Sequence, residues 1–184
     1  MVPLESPHGI PADTRGIIDP ATMVRHVDFE RFPAPPELEG LVDWFWSVRW
    51  DLRLGFVHRQ AVVAQPGVNI SVGVAPPPGP HPPPGPYPLR IVVNGVPTRL
   101  GVRTLTGRGW NLAAKTTTGG FGAWVDDAKA LTDRVLPAEQ LLGLDADVLA
   151  RSCAEVPPAE GAARLGAALA ELLVARAPDR TALA

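Results

Sequence analysis

The sequence predicts an α+β protein, mainly β, in which about eight short antiparallel strands precede a C-terminal helical segment. Short runs of alternating apolar and polar residues, separated by Gly and Pro turns, recur as far as Thr117. At Gly119-Gly120 the apolar spacing changes from the period of a strand to that of a helix. The 22 Pro and 18 Gly exclude a fold dominated by long helices. Regular turns between alternating strands indicate a closed or sandwich-like arrangement.

Composition limits the cellular setting and the partners. The chain has 184 residues, which suits one domain, and its net charge of −2 offers little attraction to a polyanion. Cys153 is the single cysteine, so we expect no intramolecular disulfide and a small buried side chain in a reducing compartment. No apolar run approaches the ~18 residues that a membrane span needs. We therefore expect a cytoplasmic protein that does not enter the membrane.

The chain divides into three predicted regions. Residues 1–15 mix Pro, Ser, Gly and charge without a period and are expected to form a flexible tail. Residues 16–120 are expected to form the strand domain, which contains a Pro-rich loop at 75–88. Residues 121–184 are expected to be helical, and to pack on the strand domain, to dimerise, or to do both.

A strand that contains three tryptophans is the predicted centre of the domain. A first strand over His26 to Phe32 and a short helix from Pro36 to about Asp43 lead into it. Alternate positions of residues 44–52 share one face, which is expected to be buried and carries Trp44, Trp46, Val48, Trp50 and Leu52. The opposite face is expected to be wet and carries Phe45, Ser47, Arg49 and Asp51.

The three indoles have two possible roles. They can fill a solid core, which is the commoner role for any one Trp, or they can line a ligand cavity with their N–H groups bonded to partners. A later strand that opens with Trp110 is expected to lie across from them, and His58 is expected to supply a polar contact. The candidate effector pocket therefore consists of Trp44, Trp46, Trp50, His58 and Trp110.

Six further strands are predicted after the tryptophan strand. They are Val57 to Ala64, Val68 to Val74, Leu89 to Val93, Val96 to Val102, Arg103 to Thr106, and Trp110 to Thr117. Turns at 53–55 and 65–67 predict a meander that begins at the tryptophan strand. Asn94-Gly95 predicts a two-residue hairpin, and the turn at 107–109 separates the last two strands.

The Pro-rich run at 75–86 cannot be helix or sheet, because Pro lacks the N–H and fixes φ. One interpretation is a polyproline ligand for the aromatic groove of a partner. The other is an elongated loop between strands, whose closure costs only ~0.6 kcal/mol per doubling of its length. The second interpretation is favoured.

The C-terminal segment contains two well-marked helices. Asp145 is the predicted N-cap of a helix over Ala146 to Glu155. The last helix, Ala159 to Ala177, carries an apolar stripe that consists of Ala162, Leu165, Leu169, Leu172 and Leu173. The stripe must pack either on the strand domain or on a second copy of the chain. We predict the second arrangement, in which a dimer and coupling helix makes its contacts through Leu165, Leu169, Leu172 and Leu173.

The sequence contains no recognisable catalytic motif. Its four histidines lack the mutual spacing of a metal site and are His8, His26, His58 and His81. No Ser lies in a Gly-x-Ser-x-Gly elbow, and residues 116–120 lack the Lys and the spacing of a phosphate loop. The residues therefore predict no catalytic group, no metal and no cofactor, and a protein that is not an enzyme.

Several motifs occur in an order that resembles a known family. They are Gly16-Ile-Ile-Asp-Pro20, Pro36-x-Leu38-x-x-Leu41-Val42, Trp46-Ser-Val-Arg-Trp-Asp-Leu52, Gly107-Arg-Gly109, Gly119-Gly120-Phe121 and Leu131-Thr-Asp-Arg-Val-Leu-Pro137. In this combination they resemble the N-terminal sensor domain of a subgroup of AraC-type bacterial transcription regulators. One departure is Thr117-Thr118, which stands before Gly119-Gly120 where similar proteins have Arg-Pro. It bears on ligand binding or on the folding of this turn.

The resemblance implies a cupin-like β-barrel followed by helices, a homodimer, and a small apolar or aromatic effector inside the barrel. It also implies that DNA is contacted only through helix-turn-helix units, which this sequence does not contain, since only Pro178 to Ala184 follow the last predicted helix. The chain is then a sensor separated from its DNA-binding domain or a stand-alone sensor. Two alternatives remain open: a cupin-like small-molecule-binding protein or enzyme, and a protein interaction module that acts through the Pro-rich run.

Overall fold

The computed structural model of the chain describes residue 14, residues 16–74 and residues 87–176. The predicted tail, apart from residue 14, and residues 75–86 of the predicted Pro-rich loop lie outside the described residues. Residues 177–184, at the end of the predicted helical region, also lie outside them.

Eight antiparallel strands are found in the described ranges. They are β1 (Asp28–Pro33), β2 (Val42–Asp51), β3 (Val57–Val62), β4 (Asn69–Val74), β5 (Arg90–Asn94), β6 (Gly101–Thr106), β7 (Arg108–Thr116) and β8 (Val135–Pro137). Six of them form one sheet in the order β1-β2-β7-β4-β5-β8, and β3 pairs with β6 in a second sheet. Within the described residues no strand ladder joins the two sheets, so no closed barrel is seen. The predicted α+β, mainly β class is confirmed.

Helices flank the strands in sequence. They are α1 (Pro20–Met23), α2 (Ala138–Leu142), α3 (Ala146–Ala154) and α4 (Pro158–Arg176), with short 3-10 helices at Pro36–Leu38, Gly120–Ala123 and Ala128–Leu131. The predicted N-cap is confirmed, because Asp145 Oδ1 accepts a hydrogen bond of 3.1 Å from the Val148 amide. In the described part of the chain no helix combines the length and the apolar character needed to cross a membrane.

The six-stranded sheet separates two different environments. One face packs against α3 and α4 and supplies the larger core. The strand residues in this core alternate along each strand, except at the register shift between Val42 and Trp44, and are Val42, Phe45, Ile70, Val72, Ile91, Val93, Leu112 and Ala114. The other face looks towards the two-stranded sheet. A smaller core on this side of the six-stranded sheet contains Met23, Val27, Trp50 and Leu52.

Strand β2 has its predicted position, but its second face is not wet over most of its length. Phe45 is 1% exposed and Ser47 is 4% exposed. Helix α4 covers this face, and a Cβ added to Gly166 would lie 3.3 Å from Phe45 Cζ. Only Arg49 and Asp51, beyond the helix, are exposed as expected. The expectation of one wet face was wrong because a helix from a distant part of the sequence packs there.

The predicted meander is also wrong. β3 follows β2 in sequence but pairs with β6, whereas β2 lies between β1 and β7. The turn residues at 53–55 correctly mark where β2 ends, and Gly55 has a φ of +80°. They do not determine the partner of the next strand, because that choice depends on contacts that are remote in sequence.

The predicted hairpin at Asn94-Gly95 is replaced by a strand end. A type I′ turn needs positive φ at both central residues, and neither Asn94 nor Gly95 has it. The Gly95 amide donates instead to the Arg134 carbonyl at 2.9 Å, and Asn94 pairs with Val135 of β8. The strand after the turn, β6, belongs to the other sheet. Glycine is required at 95 for close packing, since an added Cβ would lie 1.6 Å from the Leu131 carbonyl oxygen.

The predicted helix over Pro36 to about Asp43 is only the single 3-10 turn Pro36–Leu38. Gly40 adopts a φ of +77°, which ends the turn before β2 begins at Val42.

The apolar stripe of α4 packs on its own domain. Leu165 and Leu169 are both 0% exposed in the single chain. The Trp124 indole Nε1 donates a hydrogen bond of 2.9 Å to the Leu169 carbonyl. This bond holds α4 against the end of the 3-10 helix Gly120–Ala123. Leu172 and Leu173 are partly buried against the same core. Neither Leu165 nor Leu169 is therefore accessible to a second copy in this arrangement, so a dimer contact would have to use other residues.

We expect Leu169→Ala to lower the free energy of unfolding by about 2–5 kcal/mol, since it removes a fully buried side chain and leaves a cavity. Val174→Ala is the matched control on the same helix, because Val174 is 77% exposed and should change the free energy of unfolding by less than about 0.5 kcal/mol. Urea denaturation followed by circular dichroism measures both. Equal effects of the two substitutions would contradict the packing of α4 on the sheet.

Candidate functional site

A cavity of about 280 Å³ lies between the inner face of the six-stranded sheet and the two-stranded sheet. Every described strand contributes to its lining. A cavity of roughly 150 Å³ is sufficient for benzene, and drug-sized ligands occupy roughly 300–1,000 Å³. The space between the sheets therefore suits a molecule of one or two rings.

Tryptophan side chains of β2 form one wall of the cavity. Trp44, Trp46 and Trp50 all line it, as the sequence predicted for these three residues. The Trp46 Nε1 donates to Asn69 Oδ1 at 3.0 Å, and the Trp50 Nε1 donates to the Thr106 carbonyl at 3.2 Å. Because both indole N–H groups are bonded, the rings are fixed in orientation and present apolar surface.

Trp50 lies deeper than the other two indoles. It is the register partner of Gly109 on β7, and a Cβ added to that glycine would lie 2.3 Å from Trp50 Cζ2. The indole thus occupies the space above a glycine of the neighbouring strand and is part of the smaller core. Trp44 and Trp46 are less deeply buried than Trp50.

Short polar side chains on the central strands form the floor of the cavity. They are Asn69 and Ser71 of β4, Asn94 of β5 and Asn111 of β7. The Asn94 Nδ2 donates to Ser71 Oγ at 3.0 Å and to the Asn69 carbonyl at 3.3 Å. Sequence reasoning missed this floor. Its signal was present in Asn69-Ile-Ser-Val-Gly73, where small polar or Gly positions alternate with apolar ones.

Cationic side chains surround Trp44. The Arg31 Cζ lies 4.5 Å from the Trp44 ring centroid, and the Lys115 Nζ lies 4.6 Å from it, which are cation–π distances. The Lys115 Nζ also forms an ion pair of 2.5 Å with Asp43 Oδ2. Lys115 is buried although it is charged, and its compensation comes from this carboxylate and the aromatic ring.

The two remaining predicted pocket residues do not line the cavity. His58 is buried next to it, with its Nε2 3.3 Å from Gln60 Oε1 and its ring centroid 5.2 Å from that of His26. Trp110 lies on the helix-facing side of β7, near Cys153 and Pro158. Trp110 is offset along the strand by one position from Asn111 and by five positions from Lys115, and an odd offset directs its side chain to the other face.

Burial lowers the pKa of His58 below its usual range. The hydrogen bond with Gln60 and the charge of Asp19 act in the opposite direction, and His26 acts with burial. The imidazole is therefore neutral near pH 7. Cys153 is buried as predicted, and burial raises the pKa of its thiol. Among the described residues no three His, Cys, Asp or Glu side chains are grouped closely enough to hold a metal ion.

The fold and the site together define an α+β domain whose two antiparallel sheets enclose an aromatic and polar cavity. Residues 30–137 match the family described as "Domain of unknown function (DUF6597)", and the chain belongs to this family. The matched segment begins in β1 and ends with the last residue of β8, so it contains nearly all of the cavity lining. No curated protein and no solved structure matches the chain.

We expect Trp46→Leu to weaken the binding of a neutral aromatic probe such as 1-naphthol by about 2- to 10-fold, since a lost aromatic contact is worth about 0.5–1.5 kcal/mol. Trp110→Leu is the matched control, because this indole lies on the opposite face of the sheet. Titration followed by intrinsic fluorescence measures the affinities. An unchanged affinity in Trp46→Leu, or a larger loss in Trp110→Leu, would place the binding site elsewhere.

We expect His58 to make the domain less stable in mild acid. Its pKa is lowered on folding, so the unfolded chain binds the proton more tightly and the stability contributed by the neutral imidazole is lost as pH falls from about 6.5 through the folded pKa. Urea denaturation between pH 7.5 and pH 5 measures this in the wild type and in His58→Gln. The free-energy difference between the two proteins should shrink as pH falls, and a constant difference would refute the assignment.

Proposed function

We propose that this domain is the effector-binding sensor of a transcription regulator similar to the AraC type. Its ligand is a small apolar or aromatic molecule held between the two sheets, and its output is the position of the C-terminal helix. The ordered set of sequence motifs, of which Trp46 to Leu52 is one, supports this assignment. The size of the cavity, which suits a metabolite, also supports it. On this proposal the two sheets correspond to an opened, cupin-like barrel.

One observation carries the proposal: β2 contacts the cavity and the terminal helix at once. Trp44 and Trp46 line the cavity, while Phe45 between them faces α4. The contact with the helix is close, since a Cβ added to Gly166 would lie 3.3 Å from Phe45 Cζ and 3.4 Å from Pro35 Cγ. A ligand that shifts the backbone of β2 therefore changes the surface on which α4 rests.

The neighbouring strand repeats this arrangement. On β7, Asn111 faces the cavity and Leu112 faces the helix. A Cβ added to Gly161 would lie 3.1 Å from Leu112 Cδ2. Two adjacent strands thus lie directly between the ligand and α4. An effector can bias the helix only by its difference in affinity for two arrangements, and this shared packing is where that difference arises.

The packing of α4 on the sheet also limits the proposed partners. A homodimer would need a surface other than Leu165 and Leu169, which the sheet already covers. DNA would be contacted through helix-turn-helix units joined to this domain. The competing possibility is a cavity that binds or transforms a small molecule without signalling, and the helix response separates the two.

A reporter experiment tests the proposal. Residues 1–184 are fused to the DNA-binding units of an AraC-type regulator, and aromatic compounds are first sorted by whether they raise the melting temperature of the chain. We expect compounds that stabilise the chain to change reporter expression, because they reposition α4. A stabilising compound that leaves expression unchanged in a folded fusion would contradict the proposal.

Gly166→Ala separates binding from coupling in this experiment. Its methyl group enters the contact between α4 and Phe45, so the reporter response should change while the affinity stays within about twofold. Gly122→Ala is the matched control, because no atom lies within 4 Å of its added Cβ. An equal effect of both substitutions on the response would show that the contact carries no coupling.

A further inference from the structure

Given that the cavity is the effector site proposed above, we infer that the effector carries an anionic group, as an aromatic carboxylate does. Arg103 of the two-stranded sheet binds this group, and Trp46 of the facing sheet packs against the ring. The inference adds the charge and the orientation of the ligand to the proposed function.

The charge of the lining is one-sided. Four basic residues line the cavity, namely Arg31, Arg90, Arg103 and Lys115, and no Asp or Glu is among the described lining residues. A cluster of cations in a partly enclosed space repels itself, and an anion that enters it removes this cost.

The positive charge of Lys115 is offset by groups of the protein itself. Its ammonium group is bound by Asp43, donates to the Thr116 carbonyl at 3.3 Å and lies over Trp44. Asp43 does not line the cavity, so it reaches Lys115 from outside. Arg31 packs over Phe29 and Trp44, with centroid distances of 5.4 and 4.5 Å. These two cations therefore fix the position of Trp44.

Arg103 differs from Lys115 in its surroundings. Within the described residues it makes no hydrogen bond or ion pair; it lines the cavity and is exposed to solvent. Its register partner Gln60 is already engaged, because the Gln60 Nε2 donates to the Ile18 carbonyl at 2.6 Å and to the Ala61 carbonyl at 2.9 Å. The surrounding chain desolvates the guanidinium enough to lower the pKa of Arg103. A ligand carboxylate can accept two parallel N–H bonds from this planar group.

The aromatic part of the ligand fits the opposite wall. Trp44 is covered by Arg31 and Lys115, and Trp50 is buried in the smaller core. Trp46 is partly exposed and lines the cavity, and its bond to Asn69 uses the edge of the indole and leaves the ring faces available for stacking. A flat molecule with an acid at one end spans from this indole to the two-stranded sheet.

Two probes of nearly equal shape test the inference. The folded chain is titrated with 1-naphthoate and with its neutral counterpart 1-naphthamide at pH 7.5 and constant ionic strength, by calorimetry. We expect the carboxylate to bind about 10-fold or more tightly than the amide, because a charge-assisted bidentate pair replaces a neutral hydrogen bond. Arg103→Gln should remove most of this preference, and Arg103→Lys should retain part of it.

Arg59→Gln is the matched control. Arg59 lies beside Gln60 on β3, is exposed and does not line the cavity, so the substitution removes the same charge outside the site. It should leave the preference for the carboxylate unchanged. An equal loss of preference in Arg59→Gln and Arg103→Gln would reduce the effect to overall charge and overturn the role of Arg103. If Arg103→Gln does not fold, Arg103→Lys is compared with Arg59→Gln instead. A smaller preference for the carboxylate in Arg103→Lys than in Arg59→Gln supports the role of Arg103, and the reverse overturns it.

The outcomes separate this inference from the proposed function. Equal affinity for the two probes, or tighter binding of the amide, overturns the anionic ligand but leaves a sensor that binds a neutral molecule. Binding of neither probe at millimolar concentration to the folded chain also overturns it, and the reporter response to the wider set of compounds then decides the proposed function by itself. A preference for the carboxylate that persists in Arg103→Gln overturns the assignment of the anion to this residue.

Discussion

The structure depends on the burial of both faces of β2. Its odd and even positions meet different environments, a cavity wall on one side and a helix on the other, so the strand cannot slip by one residue without exchanging them. Phe45 fills the space under Gly166, and Trp46 is bonded to Asn69 of β4. These contacts set the register of β2 against β7 and the position at which α4 packs on the sheet. The cavity therefore exists because helices cover the far side of the sheet and supply the core that the inner face lacks.

This arrangement also explains how a polar cavity is tolerated. The helix-facing core contains most of the fully buried side chains, and the described inner face carries amides, hydroxyls and cations. The buried polar groups that face the cavity form bonds among themselves, as Asn94 does with Ser71. The cost of leaving space between the sheets is offset by packing on the other face, so the cavity and the main core lie on opposite faces of one sheet.

Local features of the fold were predictable from the sequence, and remote ones were not. Alternation located β2 and β4 because each strand has two faces of different polarity, and Asp145 marked the start of α3 because its side chain caps the helix locally. The pairing of β3 with β6, and the end of β5 at Asn94, depend on residues far away in sequence. The stripe of α4 was visible in the sequence, but its partner was not, since a sheet and a second helix demand the same apolar pattern.

The site shows the same division. Three tryptophans on one strand face were predicted together and are found together, whereas His58 and Trp110 required knowledge of pairing and face. The polar floor and the cations Arg31 and Arg103 come from five separate strands, and no local sequence pattern marks them as one group. Only the register of the sheets brings them to one cavity.

The central claim, that occupancy of the cavity reaches α4 through β2 and β7, is tested most directly by hydrogen–deuterium exchange of the chain with and without a bound aromatic compound. We expect slower exchange in peptides from β2, β7 and α4 together, because the helix rests on the two strands that line the cavity. Protection confined to the strands, with unchanged exchange throughout α4 at saturating compound, would contradict the account.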